Sequence, residues 1–439
     1  MNFQEENNQL IQSFLERTFF NGWRNPHDEK LANFQSVEFF WGRSCNLACK
    51  YCYLNKYGEE LYPARIENSV KILKNLEMIL NWMIQNEFAP KRMEFFSGEP
   101  LINIKAFEGI EMIIEKFKNK KKKPEFISVP TNLTFILNDQ LTKKVEELLK
   151  KSRKYNIPVF LSTSMDGKYC EGNRPFKVGI EKRDDKYYEK VFRFAKKWNF
   201  GFHPMIYSEL IENWQENFLW FQENFKKHGL PWSNIYLLEV RNAEWNERQI
   251  TDFGKFIEFL IKWTFKERCN SDNNKFIDFL FNDGGYNILR GPLSFIGRGI
   301  GCGIQANLTI RLGDLTIVPC HRTSYEPLIL AQIKTEKNKI VSIETKSPEL
   351  MIATYSHDAK NQPYCENCLL KYLCAFGCFG SQLEITGDMF APIPTVCQLE
   401  HVKIGSMIKA YKELKIFEDV LEKIDEKKAL ALRELEKMI

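Results

Sequence analysis

Three cysteines lie close together in the run Trp41-Gly-Arg-Ser-Cys45-Asn-Leu-Ala-Cys49-Lys-Tyr-Cys52-Tyr53, with the spacing C-x3-C-x2-C. In a chain without a secretion signal, cysteines this close indicate metal binding. A [4Fe–4S] cluster normally takes four thiolates, so three thiolates leave one iron open to a ligand from outside the protein. A zinc knuckle is the alternative that this spacing leaves open.

The composition narrows the class of protein. The chain has 439 residues, of which 44% are hydrophobic and 27% charged, as in soluble globular proteins of two or three domains. The net charge of +5 is small for this length, so we expect no nucleic acid partner. No apolar run approaches the roughly 20 residues of a membrane span, and the polar, acidic start is unlike a signal peptide. The twelve cysteines therefore predict metal or redox ligands in the cytoplasm rather than disulfides.

Short β-rich runs alternate with longer amphipathic segments between residues 36 and 241. The predicted strands are Val37–Trp41, Arg92–Phe96, Phe126–Val129, Val159–Thr163, Phe202–Tyr207 and Ile235–Val240. The predicted helices are Ile66–Asn86, Ile104–Lys118, Asn138–Tyr155, Asp185–Trp198 and Glu212–His228. This alternation predicts parallel strands with right-handed crossovers, as in a partial (β/α)6 barrel. In such barrels the functional groups lie at the C-terminal ends of the strands.

Polar motifs follow the second, third and fourth predicted strands. They are Phe95-Phe96-Ser97-Gly98-Glu99-Pro100, Val129-Pro-Thr-Asn132, and Leu161-Ser-Thr-Ser164-Met-Asp166-Gly167 with Arg174 behind it. A glycine turn lets the backbone approach a ligand closely, and the planar fork of an arginine suits a carboxylate. Each motif alone also fits a plain turn, a strand-end cap or a surface ion pair.

The cysteine motif after the first predicted strand and the three polar motifs after the next three strands resemble, in this order, the motifs of the radical S-adenosylmethionine (SAM) superfamily. The resemblance implies that SAM occupies the open iron of a cluster held by Cys45, Cys49 and Cys52. In the family the glycine-glutamate element holds the amino group of SAM, and Ser97 stands here where the family has glycine. The residues expected to contact SAM are Tyr51, Ser97, Gly98, Glu99, Asn132, Ser164 and Arg174. Among them, Ser164 and Arg174 are the candidates for the ribose and the carboxylate.

A second group of cysteines lies in the last third of the chain. It consists of Cys365-x2-Cys368-x5-Cys374-x3-Cys378, followed by Cys397 and preceded by Cys302 and Cys320. This pattern resembles the SPASM extension of radical SAM enzymes, which holds two auxiliary [4Fe–4S] clusters. The gap of six residues between Gly313 and Cys320 is slightly longer than the family pattern.

The resemblance also implies how these cysteines divide. The outer cluster would be held by Cys365, Cys368, Cys374 and Cys397, and the inner cluster by Cys302, Cys320 and Cys378. The inner set lacks an obvious fourth ligand. Zinc is the alternative, but seven cysteines do not divide into two four-cysteine zinc sites. Cys170 and Cys269 are expected to be ordinary buried thiols, with either of them as the alternative for the missing ligand. His321 is expected to be a hydrogen-bonded structural histidine.

These assignments predict an α/β fold in five parts. They are an N-terminal helical segment (residues 1–35), the radical SAM partial barrel (36–245), a helical bridge (246–294), a SPASM domain with two auxiliary clusters (295–400) and a C-terminal helix (401–439).

The resemblance implies a maturase of a ribosomally made peptide that uses three [4Fe–4S] clusters and SAM to install a thioether, a carbon–carbon crosslink or another oxidative change. An anaerobic sulfatase-maturing enzyme is the alternative, disfavoured by the three-cysteine inner set, and a scaffold without turnover is a third.

Candidate proton acceptors near the barrel mouth are Asp166 and Asp283, with Glu239 and Arg241 nearby. The expected partners are the precursor peptide and a flavodoxin or ferredoxin as electron donor. Only about 36 residues precede the barrel, too few for the leader-binding module of such maturases, so the leader is expected to bind to a separate protein, to the helical tail after Val402 or at the barrel mouth.

Overall fold

The computed structural model describes residues 36–439 except 64–67, 282–285, 295–303, 305–306, 348, 351–353, 355–362 and 375. The predicted N-terminal segment (1–35), Asp283 and Cys302 lie outside the described residues.

Four parallel strands form the centre of the molecule. They are β1 (Ser36–Gly42), β2 (Arg92–Ser97), β3 (Phe126–Thr131) and β4 (Val159–Thr163), hydrogen-bonded in that order. Every residue of β1 is buried, because helices cover one face of the sheet and the barrel interior lies on the other. The four strands confirm the sequence prediction to within two residues.

The fifth and sixth strands are shorter than predicted. Only β5 (Met205–Ile206) and β6 (Leu238–Glu239) form a regular ladder, and Phe202 joins Thr163 and Ile235 through isolated parallel bridges. Pro204 has no N–H to donate, so the ladder is interrupted between the bridge and β5. The barrel nevertheless continues around this gap, since Tyr236 N donates to Phe202 O at 2.7 Å.

Helices connect the strands and cover the sheet. In the barrel they are α1 (Tyr53–Leu61), α2 (Ser69–Gln85), α3 (Ile104–Phe117), α4 (Asp139–Lys154), α5 (Asp185–Trp198) and α6 (Trp214–His228). Side-chain caps from Asn68, Asn103, Asn138 and Asp184 accept the first backbone N–H groups of α2 to α5, which fixes where these helices begin. The five predicted helices are present, whereas α1 was not predicted.

The helical bridge begins with α7 (Glu247–Trp263), followed by α8 (Asn273–Phe281) and α9 (Asn287–Ser294). The sequence then returns to the sheet through β7 (Asn307–Arg311), β8 (Thr316–Val318), β9 (Ala331–Glu336) and β10 (Lys339–Thr345). Strand β7 lies parallel to β1, and the next three strands continue antiparallel. The predicted barrel and SPASM regions therefore share one sheet, in the order β10-β9-β8-β7-β1-β2-β3-β4.

The predicted single C-terminal helix is instead three helices after α10 (Phe379–Thr386). They are α11 (Pro394–Glu413), α12 (Phe417–Leu421) and α13 (Glu426–Glu436). Lys415 has a left-handed backbone (φ 58°), which ends α11 and redirects the chain. Helix α11 packs on α7 so closely that a Cβ at Gly254 would lie 2.7 Å from Val402 Cγ1. Among the described residues, no helix combines the length and apolarity needed to cross a membrane.

Candidate cluster and cofactor site

The three cysteines of the first motif lie on the loop between β1 and α1. Cys52 is the N-cap residue of α1, and Leu47 N lies 3.4 Å from Cys45 Sγ as a donor. Burial raises the pKa of Cys45 to about 11 and that of Cys49 to about 12. The neighbouring cysteines add to both shifts, so the three thiols lie close together. Such thiols hold their protons until a cationic group displaces them, as metal binding does.

Gly98 is required by the cysteine loop itself. Its N–H donates to Gly42 O at 2.9 Å, and Glu99 N donates to Ser44 O at 2.8 Å. A Cβ at position 98 would lie 2.4 Å from the carbonyl oxygens of both Arg43 and Ser44. The sequence pattern predicted a glycine that lets a ligand approach the backbone, but it did not predict that this glycine also packs against the cysteine loop. This glycine lets the end of β2 lie directly against the start of the cysteine loop.

The Glu99 carboxylate links the ends of β2 and β3. It is fully buried and accepts hydrogen bonds from Leu101 N (3.0 Å), Thr131 Oγ1 (2.9 Å) and Asn132 N (2.5 Å). Burial raises its pKa to about 7, although these hydrogen bonds and Arg174 act in the opposite direction. The expected SAM contact is thus a carboxyl group whose charge changes near neutral pH.

Asn132 connects β3 to the cysteine loop. Its Nδ2 donates to Asn46 Oδ1 at 2.9 Å and lies 3.7 Å from Cys45 Sγ. Its Oδ1 accepts from Thr134 N and Thr134 Oγ1 at 2.9 and 2.6 Å. The predicted SAM contact therefore also orients the first cysteine. Ser164, on the next strand end, donates its backbone N–H to Thr131 O at 2.8 Å, and its side chain is half-buried.

Tyr51, Asp166 and Arg174 form a buried network behind the cysteine loop. The Tyr51 hydroxyl donates to the Asp166 carboxylate at 2.8 Å, and Arg174 Nη1 lies 3.3 Å from that hydroxyl and 3.5 Å from Asp166 Oδ1. Met205 N also donates to Asp166. Burial raises the pKa of Asp166 against the effect of Arg174. Because this carboxylate is enclosed by donors, its geometry favours a positioning role over the proton acceptance predicted from sequence.

Arg174 retains hydrogen-bonding capacity within this network. Its Nε is buried and has no hydrogen-bond partner among the described residues. Glu171 Oε1 is its nearest further anion, at 3.6 Å. The Cys49 thiol lies close enough for Arg174 to lower the pKa of that thiol against the larger effect of burial. An unused donor beside the cysteine loop fits the predicted contact with the SAM carboxylate.

Sequence reasoning did not single out His203, which lies just before β5. It lines a cavity of about 590 Å³ together with Ser162, Tyr236, Asn287 and Arg290. Burial, with a smaller effect of Arg174, lowers its pKa to about 4, so the imidazole is neutral. Its Nε2 is buried without a hydrogen-bond partner in the described part of the chain. The only feature of the sequence that could have pointed to His203 was its position inside the predicted strand Phe202–Tyr207.

The four cysteines predicted for the outer cluster surround one cavity. Cys365, Cys368, Cys374 and Cys397 line it together with Glu400 and His401. Burial raises the pKa of Cys365 to about 11 and that of Cys374 to about 12. Four cysteines around one cavity are the donor set that a [4Fe–4S] cluster requires. Within the described ranges, no group of three His, Cys, Asp or Glu side chains is arranged to hold a single metal ion.

Two of the three predicted inner-cluster cysteines are described. Cys320 caps the short helix at 321–323, and Cys378 is the N-cap of α10. His321 Nδ1 lies 2.7 Å from Glu38 Oε1 and its ring stacks on Phe96 at 4.1 Å, which confirms its structural hydrogen bond.

The remaining predicted residues are two cysteines and a pair of charged residues at the end of the sixth strand. Cys170 and Cys269 are buried, as predicted. Glu239 and Arg241, expected near the barrel mouth, pair with each other at 3.1 Å, and Arg241 Nη1 reaches Phe376 O at 3.4 Å, next to the outer cysteines.

Comparison with known proteins identifies the barrel. The model of the radical SAM superfamily matches residues 40–248. The radical SAM cyclopropyl synthase TigE of Paramaledivibacter caminithermalis is 27% identical over 179 residues, which cover 36% of this chain and 36% of that protein. The chain thus matches about a third of the length of its curated relative.

Solved structures share the fold over most of the chain. Hexahistidine-tagged anSMEcpe with bound AdoMet has a TM-score of 0.57 at 18% identity, covering 91% of this chain and 98% of that one. Native anSMEcpe with bound AdoMet and the Cp18Cys peptide has a TM-score of 0.55 at 17% identity, covering 87% and 99%. These structures share the fold of this chain, and the match to the radical SAM superfamily is confined to residues 40–248.

Proposed function

We propose that this protein is a radical SAM maturase that modifies a ribosomally made peptide, with three [4Fe–4S] clusters and SAM as cofactors. The observation that carries the proposal is the pair of separate thiol sites, one on the loop after β1 and one around the cavity of the C-terminal region. A SAM-ligated cluster supplies a 5′-deoxyadenosyl radical that removes hydrogen from an unactivated carbon.

The residues of the chain hold and enclose this chemistry. Cys45, Cys49 and Cys52 are the proposed ligands of the SAM-binding cluster, and Glu99 is the acceptor for the SAM amino group. Arg174, with its unused Nε, is the proposed partner of the SAM carboxylate. Glu99 and Arg174 are both buried, so they offer hydrogen bonds in a medium where these are stronger than in water.

A peptide substrate is supported by the kind of proteins that share the fold. One matching anSMEcpe structure holds a peptide with AdoMet, and its resemblance covers 87% of this chain. The barrel cavity beside His203 has a volume of about 590 Å³, enough for one or two amino-acid side chains. The neutral imidazole there offers a hydrogen bond to an uncharged polar group. We further propose that a flavodoxin or ferredoxin supplies electrons and that a separate protein binds the leader.

The experiment is co-expression with a short peptide encoded beside the gene, followed by mass spectrometry of the peptide. Loss of two hydrogens, dependent on Cys45, Cys49 and Cys52, is the expected result for a crosslink. An unchanged peptide, together with SAM cleavage by the purified enzyme, would contradict this choice of substrate.

A sulfatase-maturing activity is the second candidate, favoured by the fold shared with anSMEcpe. Its test is incubation of the reconstituted enzyme with a sulfatase-type peptide bearing a target cysteine. Conversion of that cysteine to formylglycine, detected by aldehyde labelling, would replace the first proposal.

A further inference from the structure

A cluster of largely buried charges separates the sixth barrel strand from the outer cysteine cavity. It consists of Glu239 on β6, Arg241 just after it, and Glu400 and Lys403 on α11. Arg241 Nη2 lies 3.1 Å from Glu239 Oε1, and Lys403 Nζ lies 2.6 Å from Glu400 Oε1 and 3.9 Å from Glu239 Oε1. The two glutamates are each 2% exposed and Lys403 is 4% exposed. The two positive and two negative charges cancel.

Arg241 contacts the turn that carries two auxiliary cysteines. Its Nη1 lies 3.4 Å from Phe376 O, and Phe376 N donates to Cys374 Sγ at 3.2 Å. Burial lowers the pKa of Arg241, but Glu239, Glu400, Cys374 and Cys378 together raise it above its usual value. The guanidinium therefore lies beside the turn between Cys374 and Cys378, which are predicted ligands of the outer and the inner auxiliary cluster.

Glu400 faces the same site with the opposite charge. It lines the outer cavity beside Cys374 and Cys397, and its Oε2 is buried without a hydrogen-bond partner among the described residues. It also raises the pKa of Cys374, as the largest effect after burial. A cation and an anion of one network thus act on the Cys374 thiol with opposite sign.

Such a network is expensive to bury. Each buried ion costs several kcal/mol in lost hydration, and hydrophobic residues of similar size usually stabilise a core equally well. Its position beside the cysteines suggests a role other than stability. An iron–sulfur cluster gains negative charge on reduction, so nearby charges and hydrogen bonds to its sulfurs set its reduction potential.

We propose that Arg241 and Glu400 set the reduction potential of the outer auxiliary cluster, Arg241 by raising it and Glu400 by lowering it. Glu239 and Lys403 hold these two side chains in place. The proposal rests on the cofactor set of the proposed function, but it does not depend on the identity of the substrate.

The test is a potentiometric titration of the reconstituted holoenzyme, followed by electron paramagnetic resonance. The variants are Arg241→Met, which removes the cation, Arg241→Lys, which keeps it, and Glu400→Gln, which removes the anion with little change in shape. Lys409→Met is the matched control, because Lys409 lies on the same helix and pairs with Glu258 at the surface. Iron content is measured for each protein first.

We expect Arg241→Met to lower the reduction potential of the outer cluster and Glu400→Gln to raise it. Each shift should correspond to at least a tenfold change in the one-electron equilibrium constant, or 59 mV. Arg241→Lys and Lys409→Met should shift it by less than tenfold. If Arg241→Met does not fold, Lys403→Met replaces it with the same expected sign. A merely structural network would change iron content without opposite shifts in potential.

Two results would overturn the inference. The first is full iron content in Arg241→Met and Glu400→Gln with shifts in potential that have the same sign or are below tenfold. This result would reject the role of the two residues but not the proposed function. Wild-type iron near 4 rather than about 12 per chain would reject that role together with the proposed cofactor set.

Discussion

Substituting Gly98 by alanine should empty the SAM-binding cluster site while leaving the rest of the protein intact. The added Cβ would lie 2.4 Å from two carbonyl oxygens of the cysteine loop, whereas real Cβ atoms essentially never approach within 3.0 Å. Because both contacts are with backbone, no side-chain rotation relieves them. The loop must move away from β2, and the hydrogen bonds from Gly98 N to Gly42 O and from Glu99 N to Ser44 O are then lost.

The energy of this change follows from its parts. Overpacking of this kind costs about 2 kcal/mol, and each lost hydrogen bond costs about 1 kcal/mol, which gives a total of about 4 kcal/mol. This cost falls on the conformation that brings Cys45, Cys49 and Cys52 together. A penalty of that size lowers the affinity for the cluster by about three orders of magnitude, since 1.4 kcal/mol corresponds to a factor of ten.

The assay is iron content and SAM cleavage after anaerobic reconstitution. We expect iron to fall from about 12 to about 8 per chain and SAM cleavage to be lost, with an unchanged circular dichroism spectrum. Gly291→Ala is the matched control, because nothing lies within 4 Å of the added Cβ and alanine favours the helix there. Wild-type iron and cleavage in Gly98→Ala would refute the packing argument.

Three further predictions concern the two thiol sites and Glu99. Replacing Cys45, Cys49 and Cys52 by alanine should abolish SAM cleavage and leave about 8 irons per chain; surviving cleavage would move the cofactor site elsewhere. Cys368→Ala should remove about 4 irons and the modified product but spare SAM cleavage, and loss of cleavage as well would show that the two sites are not separable. Burial raises the pKa of Glu99 to about 7 in the folded state, above the unfolded value of about 4.3. Between these two pH values the folded state binds more protons than the unfolded state, so the free energy of unfolding falls as pH rises from about 4.3 to about 7. In urea unfolding of the apoprotein from pH 5 to pH 8, wild type should lose on the order of 3 kcal/mol relative to Glu99→Gln; parallel pH profiles would show that this carboxyl is ionised throughout.

Local sequence patterns predicted the barrel well. The first four strands and the helices between them follow from alternation and amphipathic spacing, and helix Asp185–Trp198 agrees at both ends. The helix after Cys52 was missed because it begins directly after the third cysteine and carries few apolar residues. The fifth strand was overestimated because a single proline, Pro204, interrupts a run of otherwise β-favouring residues.

Contacts distant in sequence were not predictable from one chain. Strand β7 pairs with β1 across about 270 residues, and no local pattern encodes that partner. The outer cysteines were grouped by their resemblance to a family, and these four cysteines line one cavity in the structure. Glu239 and Arg241 were expected near the barrel mouth, but their network with Glu400 and Lys403 was missed because those two residues lie on an element remote in sequence.

The pairing of β7 with β1 has a consequence for the assembly of this protein. Strand β1 begins the barrel, yet the strand that covers its other edge is made only after the barrel and the helical bridge have been synthesised. Until then, an apolar strand with unpaired N–H and C=O groups stands exposed, which is the usual template for aggregation. A fragment ending before residue 307 would lack the strand that pairs with this edge. The second half of the chain therefore supplies the strand that completes the sheet of the first half, so the folded barrel depends on sequence far beyond it.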